Sequence, residues 1–294
     1  METGKVESVT VYTLVDDYAG YGTLFYAQHG VSFLLDVTTA KDVKRRVLFD
    51  VGQSAEPILH NMSIMDIDVK SIDMIFLSHC HYDHTGGLVE MLKAIEKENI
   101  PVVAHEDIFK TSLEIDPYLQ HIGIIGNDTK DKVEEYGGKW ILVKGPIKLM
   151  EGVMTTGEIS REERVDFERD VTIDLYRIEE GKLVKDFLLD DVSVAIKTSS
   201  GLVVVSGCSH AGIVSIVKKA IEITGSESIR AVIGGFHLVD AKRERITQVI
   251  KSLKDLKAGK IYTGHCTGLS GECMFLKEFG DNFEKLYCGK TMQF

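Results

Sequence analysis

The chain has 294 residues, 44% of them hydrophobic and 27% charged, with 34 basic against 45 acidic side chains and a formal net charge of −11. That composition is ample for a large buried core, and the acidic balance argues against a broad nucleic-acid or anionic-membrane surface. The polar N-terminus METGKVESVT lacks the apolar core of a signal peptide, no run is long enough to span a bilayer, and five cysteines without a CxxC pair read as reduced thiols of a cytoplasmic protein.

Alternation and β-branched content predict strands at VTVYTLV, TLFYAQ, VSFLLDV and RVLFDVG. Ser54 is placed to cap a short helix through Leu59 and Met62, and the apolar run DMIFLS leads into SHCHYDHTGG. Glycines 86 and 87 precede a helical pattern at Leu88, Met91, Leu92 and Ile95, and PVVAHE reads as the next buried strand. Residues 110–140 carry weak periodicity and predict a loop or irregular cover. IKLMEGVMTTG resumes strand character. VTIDLYRIEEGKLVKDF reads as two strands around Glu-Gly, and DVSVAIKTSSGLVVVSG as two around Ser-Gly. Helices at AGIVSIVKKAIEI, AKRERITQVIKSLKDLK and SGECMFLKEF then alternate with strands at IRAVIGGF and KIYTG. With no linker, repeat or break in composition, residues 1–294 read as one α/β domain, with a cover or flap within residues 110–190.

The chemistry concentrates in SHCHYDHTGG, which sets His79, His81, Asp83 and His84 within six positions. In an extended segment His79 and His81 point the same way and can reach one ion together. After a turn at Tyr82, Asp83 and His84 can address a second position nearby. Imidazole nitrogen and carboxylate oxygen suit zinc and related first-row divalent metals. SGCSHAG and TGHCTG likewise follow apolar strands and precede helices, the positions at which α/β proteins place their chemistry. The helices that begin after His84, His210 and His265 are expected to turn their N-termini toward this edge and favour an anionic ligand.

HxHxDH, present as His79-Cys80-His81-Tyr82-Asp83-His84, resembles the signature of the metallo-β-lactamase superfamily. LFDVG with Asp50, SGCSH with His210 and TGHC with His265 support the resemblance in chain order over nearly the whole length. It implies an αββα sandwich, two facing mixed sheets with helices outside, and a dinuclear metal centre at one edge. Residue by residue it implies that His79 and His81 hold a first metal, and that Asp83, His84 and His265 hold a second. Asp50 is expected to receive hydrogen bonds and fix the histidine loop.

Two departures stand out. Where the superfamily commonly has a third histidine and a bridging aspartate, the nearest matches are TTGE, ending in Glu158, and SGC, ending in Cys208. Either His210 supplies the third imidazole, the reading adopted here, or Cys208 takes the bridging position with His210 beside it. Glu158 is the weaker candidate. His237, in IGGFHLVD, is expected to contact substrate or stabilise developing negative charge. His29 is rated below it, and His60, His105 and His121 are expected to be structural or exposed. The span EISREERVDFER, Glu158 to Arg169, reads as a solvated connection, with a mobile flap as the alternative.

The resulting expectation is a metal-dependent hydrolase carrying two divalent ions, zinc before iron or manganese. It uses a zinc-bound hydroxide oriented by Asp83 on a small anionic, phosphorylated substrate. The motifs HGVSFLLDV, LFDVGQS, SGCSHAGI, IGGFHL and YTGHCTG further resemble one branch of the superfamily. It is described as 7,8-dihydropterin-6-methyl-4-(β-D-ribofuranosyl)aminobenzene 5′-phosphate synthase-like, and more loosely as metal-dependent hydrolases. That branch implies the alternative, a pterin-linked transferase using the same metal centre. A di-iron redox protein and a non-catalytic binding protein are less favoured readings.

Overall fold

In the computed structural model, which describes residues 4–126, 128–171 and 174–294, the apolar alternation of the first strands builds one half of a folded sheet. β1 (Val6–Val15), β2 (Ser32–Thr39) and β3 (Lys44–Phe49) pair antiparallel in turn. After α1 (Ala55–Ile64), β4 (Met74–Phe76) joins β3 in parallel. One helical turn, α2 (Tyr82–Thr85), and α3 (Leu88–Ile95) lead to β5 (Ile100–Ala104), which is parallel to β4. The segment expected to be irregular instead holds β6 (Ser112–Glu114), β7 (Gln120–His121), α4 (Lys130–Glu135) and β8 (Gly138–Leu142). Of these, β8 extends the sheet beyond β5.

The chain continues through β9 (Lys148–Met150), β10 (Val153–Thr155), β11 (Leu175–Glu179) and β12 (Lys182–Lys185). The second half of the sheet begins with the antiparallel pair β13 (Val194–Thr198) and β14 (Gly201–Val205). It then alternates with helices: α5 (Ile213–Thr224), β15 (Ile229–Gly235), α6 (Arg243–Asp255), β16 (Lys260–Gly264), α7 (Gly268–Phe279) and β17 (Phe283–Lys285), with β18 (Thr291–Gln293) returning to β1. Thr172 and Ile173, at the head of the strand expected before Glu180, lie outside the described residues. No helix among the described residues is long and apolar enough to cross a membrane.

Three apolar clusters define the layers. Phe33, Phe49 and Phe76 from the first half pack with Val203, Val205 and Ile233 from the second, so the inner faces meet. Ile58, Met91 and Leu92 cover one outer face and Val214, Val249 and Phe275 the other. Burial of side chains this size, at about 1.5–3 kcal/mol each, is the main driving force for the layering. The αββα arrangement is therefore as expected, with one difference. The facing halves are hydrogen-bonded into a single 14-stranded sheet through the parallel pair β1–β13, at Val6 and Thr198. A separate four-stranded sheet, β12-β11-β6-β7, forms from the cover segment.

The strand expected at TLFYAQ does not form. Leu24 and Tyr26 of its apolar alternation are exposed. The Tyr26 N–H donates to the side chain of Asn61, whose amide nitrogen in turn donates to the Leu14 and Tyr26 carbonyls. One amide side chain on α1 has taken the place of a neighbouring strand.

The charged span from Glu158 to Arg169 exposes Glu162, Glu163 and Asp166 but is anchored by two buried side chains. Arg164 is buried and donates to the carbonyls of Ile159, Phe187 and His210. Glu168 is fully buried at the start of α5, accepting from the Val214 and Ser215 N–H groups and the Ser215 hydroxyl. Asp128 meets α3 in the same way through the Val89 N–H. Two of the three helix N-termini expected to face an anionic ligand are thus occupied by the protein's own carboxylates. Glu168→Ala should cost about 2 kcal/mol or more in urea unfolding, because it strands helix N–H groups in a buried site. A loss within about 0.5 kcal/mol would show that those groups reach water.

Candidate metal centre

The parallel runs β3–β4 and β14–β15–β16 bring several strand ends to one edge. Asp50 follows β3, the 79–84 loop follows β4, Cys208 and His210 follow β14, His237 follows β15 and His265 follows β16. Gly86 and Gly87 seat the loop by close approach: a Cβ at Gly87 would lie 2.4 Å from the Val51 carbonyl oxygen, and one at Gly86 2.5 Å from that of Gln53.

Two buried groups result. The donor atoms of His79, His81 and His210 lie within 4.8 Å of one another, and so do those of Asp83, His84, Cys208 and His265. Nitrogen and oxygen ligands at the usual zinc distances sit roughly 3.3–3.6 Å apart around a tetrahedron. Asp83 Oδ2 lies 3.3 Å from His84 Nε2 and 3.4 Å from His265 Nε2. Cys208 Sγ is 3.2 Å from each of those nitrogens. The same sulfur groups with His210 and His237, so it stands between the two sets. Of the residues weighed from the sequence, His210 thus groups with His79 and His81, and Cys208 groups with the Asp83, His84 and His265 set and with His210.

The rings are held from behind. Asp50 accepts from the Ser78 N–H at 2.7 Å, from the Ser78 hydroxyl at 2.7 Å, and pairs with His84 Nδ1 at 2.6 Å. Ser78 Oγ is 2.9 Å from His79 Nδ1, Asp17 Oδ1 is 2.9 Å from His265 Nδ1, and Ser112 Oγ lies 3.4 Å from His81 Nε2. Each contact directs the opposite ring nitrogen into the cluster. His79 Nε2 and both ring nitrogens of His210 are buried with no hydrogen-bond partner among the described residues. Unpaired buried groups of this kind each cost about 1–3 kcal/mol. An ion bound by neutral imidazole relieves that cost, so the donor set fits a divalent metal.

The two groups differ electrostatically. Burial drives His79 and His210 well below the ordinary imidazole pKa and His81 down to about 3, which leaves the first trio neutral. Burial would also lower His84, but the Asp83 and Asp50 carboxylates outweigh it and hold that ring up to about 10. His265 is raised against burial by Cys266, Asp17 and Asp83. Burial would raise Asp83, yet His84 and His265 keep it well below the usual carboxylate range. The second group is therefore an internal ion pair, in which a cation would take over the charge on Asp83 and displace ring protons.

A family model described as "Beta-lactamase superfamily domain" matches residues 45–120. The chain is 51% identical over 294 residues, all of this chain and 99% of the relative, to the 7,8-dihydropterin-6-methyl-4-(beta-D-ribofuranosyl)-aminobenzene-5'-phosphate synthase of Methanocaldococcus jannaschii. The chain belongs to the metallo-β-lactamase superfamily. An uncharacterized protein of the same organism is 30% identical over 249 residues, covering 83% of this chain and 86% of that one. Among solved structures, Tm1679, a metal-dependent hydrolase of the β-lactamase superfamily, superposes with a TM-score of 0.78. It is 26% identical, covering 97% of this chain and 98% of that one. The metallo-β-lactamase fold protein YhfI from Bacillus subtilis gives 0.57 at 13% identity, over 98% and 100% of the two chains, a likeness of fold.

Within the superfamily's arrangement, all six residues expected to ligate metal converge. His237 also reaches the edge: its ring centroid is 4.2 Å from that of His210, and Arg245 donates to its carbonyl. Glu158 does not join; Lys144 lies 3.2 Å from it and His105 Nε2 3.4 Å. His60 stacks on Tyr26 and His121 is exposed. The sequence reading missed Asp17, whose only signal was an acidic pair closing the first strand. It also missed the buried set Lys110, Asp186 and Asp190, in which Lys110 pairs with both carboxylates and Asp190 accepts from the Cys80 N–H. Asp50→Ala should weaken metal binding about 10–100-fold in chelator competition, since it frees Ser78 and the outer nitrogen of His84. Unchanged affinity would assign Asp50 to folding alone.

Proposed function

We propose that the chain is a pterin-linked transferase that builds the product named in its 51%-identical relative, a dihydropterin joined through a 6-methylene carbon to the nitrogen of a ribofuranosyl-aminobenzene phosphate. In this reaction the aryl amine attacks the methylene carbon of a pterin methyl pyrophosphate. The carbon–oxygen bond to pyrophosphate breaks, pyrophosphate leaves with the electron pair, and the amine gives up a proton. The observation that carries this reading is identity of 51% over the full length of both chains, in a chain whose two ligand-capable groups gather at one edge.

The residues fit that work. His79, His81 and His210 would hold one divalent ion, and Asp83, His84, His265 and Cys208 another, with zinc the metal that suits these donors best. Such ions stabilise the negative charge that develops on a leaving pyrophosphate. Asp83, at the junction of His84 and His265, orients the reacting groups against the second set. His237, beside His210 and anchored through its carbonyl, is the residue we assign to contact with the leaving group.

A second reading, hydrolysis of a small phosphorylated substrate, is favoured by the match to a metal-dependent hydrolase along 97% of the chain. The same centre serves either reaction, since the difference lies in whether an amine or water attacks. Metal-loaded protein incubated with the pterin pyrophosphate and the aminobenzene phosphate should yield a condensed product and free pyrophosphate. His79→Ala and Asp83→Ala should lower the rate at least about 100-fold. Consumption of the pterin pyrophosphate without condensation would replace the transferase reading with the hydrolytic one. Elemental analysis should give two metal ions per chain, falling toward one in His210→Ala.

A further inference from the structure

Two of the three helix N-termini expected to receive an anion are occupied by Asp128 and Glu168, so the question becomes which other group at the mouth of the centre can. His79, His81, His84, His210 and His265 are all buried. His29 is not: its side chain is 53% exposed, and its ring centroid lies 5.1 Å from that of His265. Among the histidines around the cluster it is the one a ligand arriving from solvent meets first.

His29 is nonetheless built into the site. Its Nδ1 is 3.3 Å from Asp17 Oδ2, and the other oxygen of Asp17 receives the Gly30 N–H and His265 Nδ1. One carboxylate thus ties the exposed ring to a buried ligand. Gly30 enforces the approach: with φ +115°, a Cβ there would fall 1.9 Å from the Asp83 carbonyl oxygen. No other residue lets the 29–30 backbone press so closely on Asp83. The result places His29 Nε2 3.5 Å from Asp83 Oδ2. Carboxylate oxygens of Asp17 and Asp83 thus flank the two ring nitrogens.

We propose that His29 is a phosphoryl-binding position at the mouth of the metal centre, its Nε2–H donating to a phosphate or pyrophosphate oxygen of the substrate. Nε2 lies on the side of Asp83 and the second group, so an anionic oxygen held against that group would accept a charge-assisted hydrogen bond from it. The Tyr82 ring, 6.3 Å from that of His29 and tilted by 51°, lies beside this position. This assignment rests on the reading of the substrate as phosphorylated and names the residue that recognises it.

The test is calorimetric titration of inorganic phosphate into full-length, metal-loaded protein, comparing the wild type with His29→Gln and His29→Asn, and measuring metal content after each titration. The expected result is binding to the wild type that weakens about tenfold or more in both variants, with metal content unchanged. Equal phosphate affinity at equal metal content overturns the assignment, as does a wild type that binds no phosphate. Loss of metal in the variants also overturns it, because His29 would then belong to the ligand set. If phosphate binding depends on His29 while no condensation occurs with the pterin and aryl substrates, the phosphoryl position stands and the transferase reading falls.

Discussion

Two of the five imidazoles crowded against one carboxylate, His79 and His84, depend on a single buried acceptor, Asp50. Its two oxygens take the Ser78 N–H, the Ser78 hydroxyl and His84 Nδ1. These bonds join the end of β3 to the end of β4 and set the entry of the 79–84 loop. Ser78 Oγ passes the constraint on to His79 Nδ1. Without that acceptor, a fully buried histidine and a fully buried serine would each lose a partner, and the ligand nitrogens would lose their direction. The geometry of the first-half ligands thus follows from how one carboxylate is satisfied.

The same economy governs the cover. Arg164 and Glu168 sit in a stretch of eight charged residues out of twelve, yet both are buried, and each is used to satisfy backbone. Arg164 reaches three carbonyls, one of them belonging to His210, and Glu168 closes the N-terminus of α5 just beyond it. The chain segment carrying His210 is therefore held on both sides by the 158–169 span. This explains how a residue with no hydrogen-bond partner on either ring nitrogen among the described residues stays aimed at His79 and His81: its backbone is fixed while its ring is left available.

What could be read from the sequence divides along a physical line. His79, His81, Asp83 and His84 were legible as candidate ligands because such side chains are rare in close succession, whereas His210 and His265 were singled out by the family resemblance of their motifs. The strands and helices were legible because apolar alternation and helical spacing report burial directly, and their layering was implied by that resemblance. Asp17, Ser78 and Ser112 were not, because supporting a ring from behind needs only one acceptor or hydroxyl, and such residues close ordinary turns everywhere. The 158–169 span misled for a related reason: composition counts charges but cannot say which two find backbone partners. TLFYAQ failed because alternation marks a segment able to pair, whereas pairing also needs a free neighbour, and Asn61 had supplied the hydrogen bonds instead. Cys208 lay between the two cases, since a thiol at a strand end serves equally as a small buried residue or as a ligand.

The donor chemistry also bears on how an acidic protein would take the proposed anionic substrate. The net charge of −11 would repel a phosphorylated ligand at long range. The centre, however, draws five of its ligand-capable groups from imidazole and only one from carboxylate, with Cys208 the remaining donor. Cations held mainly by neutral nitrogen keep much of their charge, whereas a carboxylate-rich cage would cancel it. At physiological ionic strength the surface charges fade within about 8 Å, while charges in a partly buried edge are screened far less. With metal bound, the local field at the mouth would therefore be set by the centre rather than by the surface. Recognition of a phosphoryl group needs no basic patch, only a short-range donor that marks where the oxygen should sit.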